Sequence, residues 1–151
     1  MKVATKAFGI IDVDERQKIS IPQGLFGFET LKDYVLLDAE QQPYYWLQSM
    51  DDQAIVFILI NPVLFRSDYE LNVSNDEVAD IGLSSINGAL VFSIVTALGN
   101  GPATANLQGP LLINRDTKTG KQIILSDPRW TTKHDIMAEL AATGAAAGGR
   151  K

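Results

Sequence analysis

The chain contains no cysteine and a single histidine, His134, among its 151 residues. Without cysteine it can form neither a disulfide framework nor a thiolate metal site, and one histidine does not build a metal centre. We therefore expect no cofactor and no metal. A chain of this length can stabilise itself by burying its own apolar surface.

Recognisable catalytic motifs are also missing. No G-x-S-x-G nucleophile motif occurs, and "TKTGK" at 117–121 lacks the leading glycine of a phosphate-binding loop. The adjacent carboxylates Asp51 and Asp52 lie in a predicted turn, where aspartate typically accepts local backbone hydrogen bonds. We interpret the chain as a protein without enzymatic activity, with catalysis through these two carboxylates as a distant alternative.

The chain lacks a long apolar run. Residues 81–114 carry no charge, but their continuous apolar part, "ALVFSIV" at 89–95, is much shorter than the roughly 20 residues that a membrane helix needs. The N-terminus is interrupted by Lys6 and Asp12 and does not resemble a signal peptide. We expect a cytoplasmic protein that does not insert into membranes, which the missing cysteine also fits.

Positive charge is scarce in the middle of the chain. Residues 41–114 hold one cation, Arg66, against seven acids: Asp51, Asp52, Asp68, Glu70, Asp76, Glu77 and Asp80. An acidic surface repels phosphate backbones, so we expect no direct nucleic-acid binding. The same surface would attract a basic protein partner, with a merely solvated surface as the alternative.

Alternation of apolar and polar residues predicts strands along most of the chain. We expect a first strand through "KVATKAFGIIDVD" that forms a hairpin with "KISIP". Further strands are predicted at 34–39, 44–50, 54–60, 68–73, 89–98, 103–114 and 121–126. In the segment 68–73, Tyr69 should point inward, and Gly120 should take a positive φ in the loop before the last strand.

Two helices complete the predicted architecture. "SNDE" at 74–77 has the spacing of a capping box and predicts a short helix to about Ile81. "TTKHDIMAELAA" predicts a C-terminal helix with Thr132 as its N-cap. The fold class is mainly β, a small single-domain antiparallel β-barrel or two-sheet sandwich with these two helices. We place the domain at 1–140 and a flexible Ala/Gly tail at 141–151.

The segment "GLFGFE" at 24–29 places two large rings beside two glycines. Gly24 and Gly27 suit tight backbone geometry. We expect Phe28 to fill one end of the fold and consider Phe26 a candidate partner contact. Elsewhere, "INPVLF" should expose Leu64 and Phe65 on a loop, and Pro110 indicates a strand edge or a bulge.

Four stretches in this order resemble the FliW family of flagellar assembly factors: "IPQGLFGFE" (21–29), "YYWLQS" (44–49), "FILINP" (57–62) and "TANLQGPLLIN" (104–114). The resemblance covers roughly residues 3–140. Two positions differ, since the family commonly has proline where Phe26 stands and alanine where Gly109 stands. The resemblance implies a β-barrel-like cytoplasmic protein that is not an enzyme.

The resemblance also implies two exchanging partners, flagellin and CsrA, an RNA-binding translational repressor. Flagellin binding would free CsrA to repress flagellin synthesis, and flagellin export would let the family member antagonise CsrA again. Asp68, Glu70, Asp76 and Glu77 are candidate contacts for the basic regulator, while Tyr45 and Phe65 could line an apolar groove for a flagellin helix. We expect a monomer. A small-ligand-binding β-barrel, with its mouth lined by Tyr44, Tyr45 and Trp46, is the alternative.

Overall fold

The computed structural model describes residues 1–97 and 101–148. Its strands are β1 (Lys2–Thr5), β2 (Gly9–Asp12), β3 (Lys18–Ser20), β4 (Asp33–Asp38), β5 (Tyr45–Ser49), β6 (Val56–Ile60), β7 (Ala89–Thr96), β8 (Thr104–Ala105), β9 (Leu111–Asn114), β10 (Gly120–Gln122) and β11 (His134–Asp135). Its α-helices are α1 (Asn75–Ala79) and α2 (Ile136–Gly148), and short 3-10 helices span Glu15–Gln17, Pro62–Leu64 and Ile86–Gly88.

The first thirteen residues form a hairpin of their own, not one strand. β1 pairs antiparallel with β2, and Gly9 at the turn has a φ of +69°. The Thr5 hydroxyl donates to the Gly9 carbonyl and accepts from the Phe8 N–H. The expected pairing of the first strand with "KISIP" is therefore wrong, because β3 pairs with β4 instead.

The main sheet is antiparallel along the order β10-β9-β7-β6-β5-β4-β3. Within the described residues it does not close into a barrel, although one isolated parallel bridge between Ser20 and Thr119 joins the two ends of this path. The mainly β class with two helices is confirmed, as the sequence predicted. Alternation of side chains places Tyr34 on one face of β4 and Val35 on the other, and both are fully buried.

β7 organises the sheet because it pairs with three other strands. β6 pairs with one edge of β7, while β9 and then β8 pair with successive parts of its other edge. From the pair Phe92–Leu111 to the pair Val95–Ala105, β7 advances by three residues and the opposite segment by six. The strand predicted at 103–114 is thus interrupted by extra residues between β8 and β9. Pro110 is one of these residues, in agreement with a bulge, one of the two possibilities that this proline indicated. Leu98, the predicted end of β7, lies outside the described residues.

Three apolar clusters fill the fold. One cluster includes Leu25, Tyr34 and Leu47, a second includes Phe65, Tyr69 and Trp130, and a third is formed where the β1–β2 hairpin covers β4 through Val3 and Val13. In "GLFGFE" the fully buried side chain is that of Leu25. Phe28 is half-buried and packs edge-on against Phe57, with ring centroids 5.0 Å apart, so it lies at the margin of the core.

Several local expectations differ from the structure. No strand forms at 68–73, although Tyr69 is buried as predicted. Helix α1 is confirmed, but the Ser74 side chain makes no capping bond. The positive φ after β9 belongs to Lys118, at 60°, and not to Gly120.

The C-terminal helix begins later than predicted. Asp135 caps it by accepting from the Ala138 N–H at 2.9 Å, so Thr132 is not the N-cap. His134 and Asp135 form β11, which pairs with β8. The helix runs to Gly148, six residues past Ala142, where the predicted helical segment ends, and the last residues of the predicted tail, 149–151, lie outside the described residues.

Candidate functional site

A groove of about 700 Å³ opens on one face of the main sheet. Its floor is a row of three apolar side chains, Trp46, Ile58 and Val95, from β5, β6 and β7. Trp46 pairs directly with Ile58, and Ile58 with Val95. Directly paired residues on neighbouring strands point to the same side of a sheet, so the row is continuous. The groove lies where the cluster under the β1–β2 hairpin meets the cluster around Trp130.

Three connections form the walls of this groove. The β1–β2 turn contributes Ala7 and Phe8, the β4–β5 loop contributes Glu40, Gln41 and Tyr44, and the flanks of the β7–β8 connection contribute Ala97 and Ala103. The lining is therefore mainly apolar. Glu40 is exposed and is the one charged residue among the described residues that line it.

A smaller cavity of about 310 Å³ lies near Phe26. Leu25, Phe57 and Ile94 supply apolar lining, and Lys133 stands among its polar lining residues. The Phe26 ring is 50% exposed, while its backbone N–H donates to Gln122 Oε1 at 2.9 Å. This bond holds the exposed ring at the cavity.

The acidic stretch 68–80 divides into two charged clusters, the first of them around Trp130. The guanidinium carbons of Arg66 and Arg129 lie 4.7 and 4.8 Å from the Trp130 ring centroid. Arg66 binds Asp68 through two hydrogen bonds of 2.8 and 2.7 Å, which lower the pKa of Asp68 to about 2. Arg66 also donates to Glu139 at 2.6 Å, and Arg129 pairs with Asp127.

Charge in this first cluster is only partly compensated. Asp68, Glu70, Asp127 and Glu139 face two guanidiniums. The pKa of Arg129 is raised by its hydrogen bond to Asp127 and, through space, by Asp127, Asp68 and Glu70. The imidazole Nδ1 of His134 lies 3.1 Å from both carboxylate oxygens of Glu139, while its Nε2 accepts from the Thr131 N–H. The neutral tautomer that satisfies both contacts has its proton on Nδ1.

The second cluster surrounds Lys121 on β10. Its ammonium donates to Asp80 at 2.8 Å and to the Glu77 side chain at 3.2 Å, so it ties helix α1 to the sheet. These bonds, that to Asp80 foremost, raise the pKa of Lys121, and Lys121 lowers the pKa of Asp80. Lys121 therefore binds two carboxylates, and exposed Asp76 on α1 adds a third acid to this part of the chain.

The predicted contact residues differ in their exposure. Phe65 is fully buried, so the expectation that it is exposed on a loop is wrong, and it belongs to the core. Tyr45 is half-buried with its ring 5.3 Å from Phe92, and it does not line the groove. Phe26, Glu70 and Asp76 are exposed.

Sequence reasoning missed some residues that define these surfaces. Phe8 lies 38 positions from Trp46 along the chain, and no sequence signal links the two. The alternative hypothesis expected Tyr44, Tyr45 and Trp46 to line the mouth of a barrel. Tyr44, in the loop before β5, and Trp46, on β5, do line the groove, but Tyr45 does not. Lys121 is a cation within the predicted strand 121–126, and nothing in its neighbourhood points to α1. Among the described residues, no group of three His, Asp or Glu side chains is placed to hold a metal ion.

No helix of the described chain has both the length and the apolar character required to cross a membrane. The fold and its surfaces define a mainly β, antiparallel protein that presents an apolar groove and a charged face. The family described as FliW protein matches residues 2–136. The chain therefore belongs to the FliW family.

Individual relatives extend over nearly the whole chain. The flagellar assembly factor FliW of Treponema denticola is 46% identical over 145 residues, which cover 95% of this chain and 99% of that protein. The flagellar assembly factor FliW of Treponema pallidum is 44% identical over 142 residues, covering 93% and 95%. A crystal structure of the flagellar assembly factor FliW has a TM-score of 0.81 at 32% identity and covers 90% of this chain and 96% of that one. The chain is thus a flagellar assembly factor by family.

Proposed function

We propose that the protein is a cytoplasmic, non-enzymatic binding protein that holds flagellin and a CsrA-type RNA-binding regulator in exchange for one another. The observation that carries this proposal is the match to flagellar assembly factors over nearly the full length of the chain. In the proposed cycle, unassembled flagellin occupies the protein and leaves the regulator free to repress flagellin synthesis. Export of flagellin frees the protein to bind the regulator and relieve that repression.

The charged face supports the assignment of the regulator. A protein that holds RNA must present cations to phosphate, and cations are attracted to a surface with excess carboxylate. Both clusters keep more carboxylates than cations, and exposed Glu70 and Asp76 are candidates to meet the regulator. Asp68 and Glu77 are engaged by Arg66 and Lys121, so we assign them a supporting role.

The position of helix α2 supports exchange between the partners. The Ile136 N–H at its start donates to the carbonyl of Ala103, which lines the apolar groove. One turn later, Glu139 binds Arg66 of the first charged cluster. A large partner in the groove would therefore reach the charged face. The proposal takes the protein as a monomer with residues 1–140 as its binding domain.

The regulator's site is tested by reversing charge where no ion pair within the described residues is lost. In Glu70→Lys/Asp76→Lys, we expect the affinity for the CsrA-type regulator to fall about tenfold or more at low salt, with a weaker dependence on salt than in the wild type. Asp116→Lys, exposed in the β9–β10 loop, is the matched control and should leave the affinity unchanged. Calorimetric titration at two salt concentrations measures both. Equal affinity in all three proteins would reject this face.

The groove favours a second candidate function, the binding of a small apolar ligand. Its volume of about 700 Å³ falls within the range of ligand pockets, about 300–1,000 Å³. A bound ligand would raise the melting temperature by mass action, and a thermal-shift screen of small molecules tests this directly.

A further inference from the structure

We propose that the apolar groove is the docking site for one amphipathic α-helix of a partner protein, with a Lys or Arg of that helix opposite Glu40. This inference rests on the proposed function, in which the partner is flagellin. Beyond the proposed function, the inference specifies the binding surface, the residues in contact, and the secondary structure and charge of the bound segment.

The dimensions of the floor fit one helix. Trp46, Ile58 and Val95 stand on three adjacent strands, and strands in a sheet are about 4.8 Å apart, so the row is about 10 Å across. An α-helix with its side chains has a diameter of about 10–12 Å. The floor therefore has room for a single helix laid on the sheet face.

The strand edges around the groove are already paired, which argues against an added strand. β5 lies between β4 and β6, β6 between β5 and β7, and β8 between β7 and β11. A partner in the groove finds side chains and not free backbone groups of these strands. The contact is therefore of the kind in which the apolar face of a helix enters a groove.

The charge of Glu40 indicates which charge the partner helix should carry. Glu40 is exposed at the groove and forms no ion pair with the described residues. The other described residues that line the groove are uncharged. An apolar helix face bearing one cation would complement this lining, whereas an acidic segment would be repelled.

The wall that carries Phe8 is held in place before any partner binds. The Lys6 N–H donates to Oε1 of the fully buried Gln48 at 2.9 Å, and the Phe8 N–H donates to the Thr5 hydroxyl at 2.9 Å. The Gln53 side chain in turn donates to the Thr5 carbonyl. A partly exposed aromatic ring on a fixed turn is the type of anchor that dominates interface energies, because little ordering is required on binding.

The test uses the full chain and the full-length flagellin of the same organism, with affinities from calorimetry. Phe8→Ala and Glu40→Lys should each weaken flagellin binding about tenfold or more. The matched control is Asp116→Lys, an exposed acid on a distant loop, which should bind flagellin as the wild type does. Phe26→Ala, at an exposed ring of the smaller cavity, tests that cavity as the alternative site. Unchanged melting curves and unchanged affinity for the CsrA-type regulator show that each variant is folded.

The outcomes separate this inference from the function on which it rests. Wild-type binding with no loss in Phe8→Ala and Glu40→Lys overturns the groove and leaves flagellin binding intact. A loss in Phe26→Ala alone moves the site to the smaller cavity and also overturns the inference. Absence of flagellin binding by the wild type overturns the proposed function itself. If Phe8→Ala does not fold, Ala97→Arg, at an exposed position of the opposite wall, replaces it and should likewise weaken binding about tenfold.

Discussion

At the scale of single residues, the two glycines of "GLFGFE" are required for different reasons. Both have a left-handed backbone, and one of them also lies too close to neighbouring backbone to carry a side chain. Gly24 and Gly27 have φ values of +69° and +88°. A Cβ on Gly24 would lie 2.5 Å from the Cα of Glu29, while a Cβ on Gly27 would meet nothing within 4 Å. Both positions require positive φ, but only Gly24 also requires the absence of a side chain.

This difference predicts unequal costs of substitution. Gly27→Ala should lower the free energy of unfolding by about 1–2 kcal/mol, the cost of a left-handed L-residue. Gly24→Ala should cost clearly more, about 3 kcal/mol or above, because backbone must also move. Urea unfolding of both variants measures the difference. Equal losses would show that the contact with Glu29 relaxes freely.

Two buried tyrosines predict opposite effects of losing a hydroxyl. The Tyr34 hydroxyl is buried without a hydrogen-bond partner in the described chain, whereas the Tyr69 hydroxyl donates to the Leu107 carbonyl at 2.6 Å. Tyr34→Phe should be neutral or stabilise the protein, and Tyr69→Phe should destabilise it by about 1–3 kcal/mol. Thermal unfolding of the two variants decides between these signs, and a destabilised Tyr34→Phe would contradict the account.

Tyr34 also predicts a loss of stability in alkali. Burial, aided by the charge of Asp51, raises the pKa of Tyr34 to about 12, above the value near 10 of an unfolded tyrosine. The folded state therefore holds its proton longer, and stability falls as pH rises from about 10 through 12. Urea midpoints between pH 9 and 12 should fall less steeply in Tyr34→Phe than in the wild type. Identical slopes would contradict this.

At the scale of elements, helix α2 is tied to the rest of the fold by its first turns. Ile136 is fully buried, and Glu139 accepts from Arg66 at 2.6 Å, in a partly buried charge-assisted bond. Glu139→Ala should free the helix, so its amides should exchange with deuterium about tenfold faster. Met137→Ala, 64% exposed on the same helix, is the control and should exchange as the wild type does. Equal exchange in both variants would show that Ile136 alone holds the helix.

The sequence predicts those elements whose formation depends on neighbouring residues, and it fails where an element depends on contacts between distant segments. Strands β4 to β7 follow from local runs of β-branched, aromatic and other apolar residues bounded by turn signals, and α1 follows from its own N-terminal residues. The segment 68–73 alternates between polar and apolar residues and also predicts a strand. Its Tyr69 instead turns inward to donate to the Leu107 carbonyl, and no strand within the described residues pairs with the segment. The start of α2 was misplaced because residues 134–135 pair with β8, a contact that local sequence does not reveal.

The residues of the candidate site likewise divide into those that the sequence predicts and those that it does not. Exposed acids such as Asp76 could be predicted from composition, since charged side chains are rarely buried. The groove could not, because Phe8, Trp46 and Val95 come from three separate segments that only the sheet order brings together. Phe65 was expected outside since it follows Asn-Pro, but the 3-10 turn Pro62–Leu64 directs it into the core.

At the scale of the whole molecule, apolar and charged surfaces occupy neighbouring regions joined through α2. The groove would take an apolar helix with a cation, and the charged face would take a basic protein. Arg66 and Lys121 form ion pairs with some of the carboxylates and thereby stabilise the fold. The remaining exposed acids are available to a partner. Salt should therefore weaken the contact with the regulator more than the contact with flagellin.

The central claim, exchange of two partners on one protein, is tested most directly by a single competition titration. The CsrA-type regulator is titrated calorimetrically into the protein alone and into the protein saturated with flagellin. The account predicts binding of the regulator to the free protein and its suppression by bound flagellin. Undiminished binding of the regulator in the presence of bound flagellin, or no binding of either partner, would contradict it.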